Sequence, residues 1–168
     1  PKLFGSDKLH ITLTAGVTTP TISLLPETLV FDDVIVGGSA TAAFKVTNPS
    51  PVRIEIDELS IEPEGAPFSL VGDPVSELGP GETRSVALAF IPQTDGRHNA
   101  HARISSQHLP DGSLTLSLQG DGLAPKLVIS PLPQVGFRFG LVDVGTTRQR
   151  FLTLINNGRA DLHVSSIE

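Results

Sequence analysis

Hydrophobic and polar residues alternate along most of this chain. In TAAFKVTN (residues 41–48), Ala42, Phe44 and Val46 share one face, and Thr41, Ala43, Lys45 and Thr47 share the other. VRIEI (52–56) sets Val52, Ile54 and Ile56 against Arg53 and Glu55. RSVALAFI (84–91) aligns Val86, Leu88 and Phe90, HNAHARISS (98–106) aligns Ala100, Ala102 and Ile104, and SLTLSLQ (113–119) aligns Leu114, Leu116 and Leu118. A side-chain period of two marks strands with one face in a core and one in water. Gly37-Gly38, Asn48-Pro49-Ser50-Pro51, Gly79-Pro80-Gly81, Asp95-Gly96 and Asp111-Gly112 separate the runs and carry turn chemistry. No helical period interrupts them. Short strands between closely spaced turns predict an all-β fold, a two-sheet β-sandwich. One local conflict stands out. The inward set Val52, Ile54, Ile56 would continue through Glu58, yet Leu59 and Ile61 are the next apolar residues. A β-bulge near Asp57-Glu58 is the simplest device for that register shift.

The chain also matches itself. LTAGVTTPTISLL (13–25) aligns with LQGDGLAPKLVIS (118–130), so that Pro20 meets Pro125 and Ile22 meets Leu127. Downstream, FDDVIVGG from Phe31 aligns with FGLVDVGT from Phe139. Val46-Thr47-Asn48 then falls on Leu154-Ile155-Asn156. A self-match at a spacing of roughly a hundred residues is the mark of a tandem domain array. The expected organisation is the last strand of a preceding repeat or an N-terminal arm at 1–18, a complete β-sandwich repeat at 19–123, and the first strands of a following, incomplete repeat at 124–168. The chain then reads as a piece of a longer array. The alternative is a self-contained chain whose ends complete each other.

These residues resemble the ASPM–SPD-2–Hydin (ASH) family, which is related to the major sperm protein (MSP) and PapD-like folds. The resemblance rests on a proline-led opening strand (Pro20-Thr21-Ile22-Ser23, again Pro125 to Ser130) and on Phe-x-x-Val-x-Val-Gly (Phe31 to Gly37, again Phe139 to Gly145). It extends through the Asn-containing turns (Val46 to Pro49, again Leu154 to Gly158), Pro67-Phe68-Ser69-Leu70, Leu78 to Glu82, Phe90-Ile91-Pro92 with Gly96, and Leu118 to Gly122. It implies an immunoglobulin-like sandwich of seven or so strands, no catalytic machinery, and service as a scaffold or binding module. Relatives occur in cilia, centrosomes and bacterial surface or secreted proteins. A secreted or cell-surface bacterial setting is the favoured expectation, with cilium- or centrosome-associated cytoplasm as the alternative.

Composition narrows the chemistry. The 168 residues carry a net charge of −6, which argues against nucleic acid and anionic membrane as main partners. No apolar run reaches the ~18 residues of a membrane-spanning helix. With no Cys, no Trp and no Tyr, thiolate chemistry is excluded and aromatic stacking platforms are scarce. His98, His101 and His108 lie close in sequence, but positions 98 and 101 have opposite strand parity, which works against a converging zinc site. The acidic residues Asp32, Asp33, Glu55, Asp57, Glu58, Glu62 and Glu64 lack the Gly-centred pattern of a calcium loop and read as a solvated face. No nucleophile elbow, P-loop or dinucleotide fingerprint is present. Gly120-Asp121-Gly122 reads as a joint at the end of a strand rather than a phosphate loop. No catalytic residue, metal ligand, cofactor or small-molecule ligand is therefore expected.

What remains is an interaction site. Leu9, Ile11 and Leu13 form a strand without a partner in their own unit. Phe151, Leu162 and Val164 are expected to face inward in a unit whose later strands are not there to cover them. Arg148, Arg150 and Arg159 form the basic cluster, with Arg148 and Arg150 of one strand parity and suited to a small anion or carboxylate contact. Unpaired edges and half-built cores recruit strands. The expected partners are other protein domains or further copies of this chain, joined head to tail. The function expected is structural or scaffolding, with adhesion or carbohydrate binding at a cell surface as the alternative.

Overall fold

The computed structural model describes residues 19–131 and 138–167. Every regular element in it is a strand: β1 (Ser23–Leu25), β2 (Thr28–Val30), β3 (Val34–Ile35), β4 (Ala40–Thr47), β5 (Ile54–Glu55), β6 (Glu58–Glu62), β7 (Phe68–Val71), β8 (Glu77–Leu78), β9 (Thr83–Phe90), β10 (Gly96–Ser105), β11 (Ser113–Leu123), β12 (Leu127–Ser130) and β13 (Thr153–Asn156). One sheet has the order β1-β4-β9-β7. The facing sheet has the order β2-β11-β10-β6, with β3 also on β11. The ladder β5-β8 and the hairpin β12-β13 stand apart from both sheets. The fold is all-β, a two-sheet sandwich as expected from the alternation, and immunoglobulin-like as the resemblance implies.

The alternation decides which side chains enter the core. From the first sheet come Phe44, Val46, Val86, Leu88 and Phe90; from the second come Ala100, Ala102, Ile104, Leu116 and Leu118, all buried. Fully burying a Phe or Leu side chain contributes roughly 1.5–3 kcal/mol. Phe31, Phe68 and Phe90 form the aromatic centre, with Phe68 and Phe90 stacked at 4.8 Å between ring centroids. Gly120 on β11 leaves room for this cluster, since a Cβ there would lie 2.6 Å from the Phe90 ring. Gly122 is equally constrained, its Cβ position falling 2.3 Å from the Thr94 carbonyl oxygen. Gly120-Asp121-Gly122 pairs with Gly96 to His98 and forms the last part of β11, so the expected strand-end position holds and the three residues are themselves strand.

The register conflict near Asp57 is resolved without a bulge. The Ile56 amide donates to the Ser76 carbonyl at 2.9 Å, and the next amide, Asp57, donates to the Ser105 carbonyl at 2.8 Å. The chain thus leaves the β5-β8 ladder and enters the second sheet within two residues. Ile54 and Ile56 are buried, and Leu59 and Ile61 pack on the core from β6. Val52, expected inward, is exposed, because regular pairing begins only at Ile54.

At the end of β4 sits a buried polar hub. Asn48 is fully buried, and its Nδ2 donates to the carbonyls of Val52 (2.8 Å), Leu78 (3.1 Å) and Gly79 (3.0 Å). Its Oδ1 accepts the Ser50 amide at 2.9 Å. Its backbone amide donates to the Glu82 carbonyl at 2.9 Å, and its carbonyl accepts the Gly81 amide at 2.8 Å. Glu82 completes the 79–82 turn: its carboxylate accepts the Gly79 amide (2.7 Å) and the Arg84 guanidinium (2.6 Å). The Gly79 amide first, and Arg84 after it, hold the Glu82 carboxyl below its ordinary range.

Two outcomes follow from this corner. Replacing Asn48 by Ala orphans buried carbonyls and should cost roughly 2–3 kcal/mol. Thermal melting should report the loss as a Tm lower by on the order of 10 °C, and Asn48→Asp, which cannot donate, should fall nearly as far. The Glu82 carboxyl titrates lower folded than unfolded, so its contribution is present above the ordinary carboxylate range and fades as pH falls through the folded value. Melting of the wild type and of Glu82→Gln should therefore differ at neutral pH and converge in acid.

Candidate functional site

The hairpin β12-β13 repeats the pairing of β1 and β4. In the first pair Ser23 faces Thr47, Leu24 faces Val46 and Leu25 faces Lys45. In the second, Val128 faces Ile155, Ile129 faces Leu154 and Ser130 faces Thr153, which are the positions that the sequence self-match pairs with the first set. The turns beyond the two strands share their bonding as well. Asn156 Nδ2 donates to the Ala160 carbonyl at 2.7 Å and Oδ1 accepts the Gly158 amide at 2.9 Å, as Asn48 does with Val52 and Ser50. Asn156 Oδ1 also accepts the Lys126 amide at 3.1 Å. Gly37 and Gly145 both have a φ of 84°.

The surroundings of the two sets differ. Phe31, Val34, Phe44 and Ile56 are buried beneath the facing sheet. The sequence counterparts of the first three, Phe139, Val142 and Leu152, are 45%, 43% and 36% exposed, and Val164 farther along is 49% exposed. With Leu154 and Leu162 half-buried beside them, they give residues 138–167 an uncovered apolar surface.

Of the site residues expected from sequence, Leu9, Ile11 and Leu13 lie outside the described residues. Leu162 and Val164 belong to the apolar set just described. Phe151 is 84% exposed, but it has the parity of Thr153 and Ile155, opposite to Leu152 and Leu154. It matches Ala43, on the outer face of β4, so Leu152 is the counterpart of buried Phe44. Arg148 and Arg150 precede β13 and lie outside any strand, so strand parity does not relate them. Arg148 Nη1 donates to the Phe139 carbonyl at 2.7 Å; Arg150 is exposed.

Arg159 does not join those two. It stands where the hairpin meets the sandwich, with Nη2 donating to the Gly122 carbonyl at 2.8 Å and lying 3.5 Å from the Asp95 carboxylate. Its Nη1 lies 3.6 Å from Asp121 Oδ1. The Arg159 amide donates to the Ala124 carbonyl and the Asn157 amide to the Lys126 carbonyl. Gly158 permits this approach: a Cβ there would lie 2.3 Å from the Ala124 carbonyl oxygen and 2.4 Å from the Lys126 nitrogen. Sequence reasoning named Arg159 but missed its partners. The Asn-Asn-Gly-Arg spacing was visible, whereas contact with Asp95 needed the fold.

The histidines do not converge. His98 packs on Phe90 with ring centroids at 5.7 Å, and its Nε2 lies 3.0 Å from the Thr94 carbonyl. His101 is exposed. Among the described residues no group of three or more His, Asp or Glu side chains is placed to hold a metal ion.

No protein-family model and no curated protein matches the chain. Solved structures do. A protein of unknown function from Porphyromonas gingivalis W83 is similar at 15% identity and a TM-score of 0.52, covering 62% of this chain and 49% of its own. The likeness is one of fold. The ASH / PapD-like domain of human CEP192 (PapD-like domain 7) is similar at 15% identity and a TM-score of 0.49, covering 72% of this chain and 97% of that domain. SSP-19, an MSP-domain protein of Caenorhabditis elegans, follows at 11% identity and a TM-score of 0.43, over 59% of this chain and 98% of its own.

The close approach at Gly158 gives a direct test. Gly158→Ala should release the backbone of residues 124–126, seen as loss of amide hydrogen-exchange protection at Lys126 and Asn157. The melting of the β1–β11 sandwich should stay within a degree or so of wild type, because the clash lies outside its core.

Proposed function

We propose that this protein is a non-enzymatic structural and protein-interaction module from a tandem β-sandwich array. The observation that carries the reading is the contrast between buried Phe31, Val34, Phe44 and Ile56 and exposed Phe139, Val142, Leu152 and Val164. An apolar surface of this kind, beside the open edges of the two-stranded hairpin β12-β13, favours strand addition over a small polar ligand. The matching register of β1-β4 and β12-β13 supports a repeated unit in the order 19–123 then 124–168.

The occupant we assign is the segment 9–13 of a second copy. Leu9, Ile11 and Leu13 match Leu114, Leu116 and Leu118 of β11, two of which are buried in the sandwich. In the sandwich, β11 lies parallel to β2 and β3. The equivalent place beside residues 138–167 is where segment 9–13 would lie. Such a contact is heterologous, since one end of each copy meets the other end of the next, and it propagates as a filament.

Sedimentation velocity over a wide concentration range tests this. The weight-average mass of the wild-type chain should rise with concentration. Leu152→Asp, and separately a triple change of Leu9, Ile11 and Leu13 to Ser, should each hold the chain as a monomer while leaving the sandwich melt unchanged. A wild-type chain that stays monomeric throughout would overturn the assignment.

A further inference from the structure

We infer that the pole of the sandwich formed by Asp95, Asp121 and the Gly122 carbonyl is a guanidinium socket, and that it accepts the arginine of the structural element that follows it. The inference rests on side-chain geometry at the junction and holds whether or not copies of the chain assemble.

The socket is built by the second sheet. Asp95 lies in the turn before β10, and Asp121 and Gly122 lie near the end of β11, opposite Arg97 and Gly96. Asp121 is the most enclosed member, with its side chain 22% exposed. It is shared between two cations. Its Oδ2 accepts from Arg97 Nε at 3.3 Å and Nη2 at 3.2 Å, and its Oδ1 faces Arg159 at 3.6 Å. Each oxygen of one carboxylate meets a different guanidinium, so its charge is what allows the two cations to coexist. Arg159 adds the bond to the Gly122 carbonyl and the contact with Asp95.

The acceptors suit arginine better than lysine. They lie in three directions, and the planar guanidinium presents its donors as a fixed fork, whereas an ammonium is a compact point charge. Exposed ion pairs of this kind add little stability each. Several of them on one side chain restrict orientation instead. Linked sandwiches without a large interface move relative to one another by default. Here the backbone contacts at Ala124 and Lys126 and the fork of Arg159 oppose that motion.

The socket also discriminates. Arg159 is presented by the Asn156 turn, at the position that the self-match pairs with Pro51 in the turn of Asn48. A unit with proline there brings no guanidinium to the pole of its predecessor.

The chain has no native cysteine, so a pair of spin labels can be placed cleanly. Labels on Ser85→Cys and Thr147→Cys, both exposed, report the distance between sandwich and hairpin by pulsed electron resonance. The parent should give one narrow distance distribution. Arg159→Ala and Asp121→Asn should each broaden it about twofold. Arg159→Lys should broaden it as well, and the double variant Arg159→Ala/Asp121→Asn should be no broader than either single one. Asp95→Asn, altered outside the strands, guards against a folding defect and should give a smaller broadening. The circular-dichroism melt of the sandwich should be unchanged in the Arg159 and Asp95 variants and fall only slightly in Asp121→Asn, which also loses the exposed pair with Arg97. Equal widths in the parent and Arg159→Ala, or full retention by Arg159→Lys, would sink the socket.

Discussion

The architecture depends on an asparagine that acts as a corner piece. Where β4 ends, three carbonyls from two separate stretches of chain, Val52 and the adjacent pair Leu78-Gly79, point into the protein and need donors. Asn48 supplies them from one amide nitrogen while its oxygen caps the turn that follows. An unpaired buried carbonyl is expensive, and no apolar residue could close this corner. The hub ties the first sheet to the β5-β8 ladder and to the 79–82 turn. It thereby fixes where the chain crosses to the second sheet. Asn156 does the same local work for the turn after β13, and that turn brings Arg159 to the sandwich.

The core is arranged around shape as much as hydrophobicity. Phe68 and Phe90 of the first sheet meet Phe31, from the segment between β2 and β3, at its centre. Gly120 is the clearest case: the Phe90 ring occupies the space that a side chain would need. The two glycines of the Gly-Asp-Gly stretch have separate packing roles, and the aspartate between them faces out to bind Arg97 and Arg159. A strand that looks like a linker in one dimension is in three dimensions both the floor of the aromatic cluster and the wall of the junction.

Much of this was legible in the residues themselves. Period-two alternation located the long strands β4, β9, β10 and β11 and the faces they bury, because burial on one face of a sheet leaves that signature directly. The apolar run 52–61 was misleading, since a bulge and a crossover between sheets shift the pattern in the same way and only the partners tell them apart. Val52 failed for the related reason that pairing starts two residues later. Phe151 is expected on the inner face, but Leu152, not Phe151, has the parity of half-buried Leu154 in β13. Arg159 was grouped with Arg148 and Arg150 by charge and proximity in sequence. Its carboxylate partner Asp95 sits far back along the chain, and no local pattern connects them.

The parallel pairing of β2 and β3 with β11 has a kinetic consequence. Those early strands have their neighbour at the far end of the same sandwich, so the second sheet cannot close until its last strand has been made. Contacts this distant in sequence impose a large loop-closure cost before any of them is rewarded. During synthesis the opening strands must wait beside a half-assembled partner sheet, exposed to any other chain with a compatible edge. A protein made of such units therefore has its most vulnerable moment just before each unit's final strand leaves the ribosome.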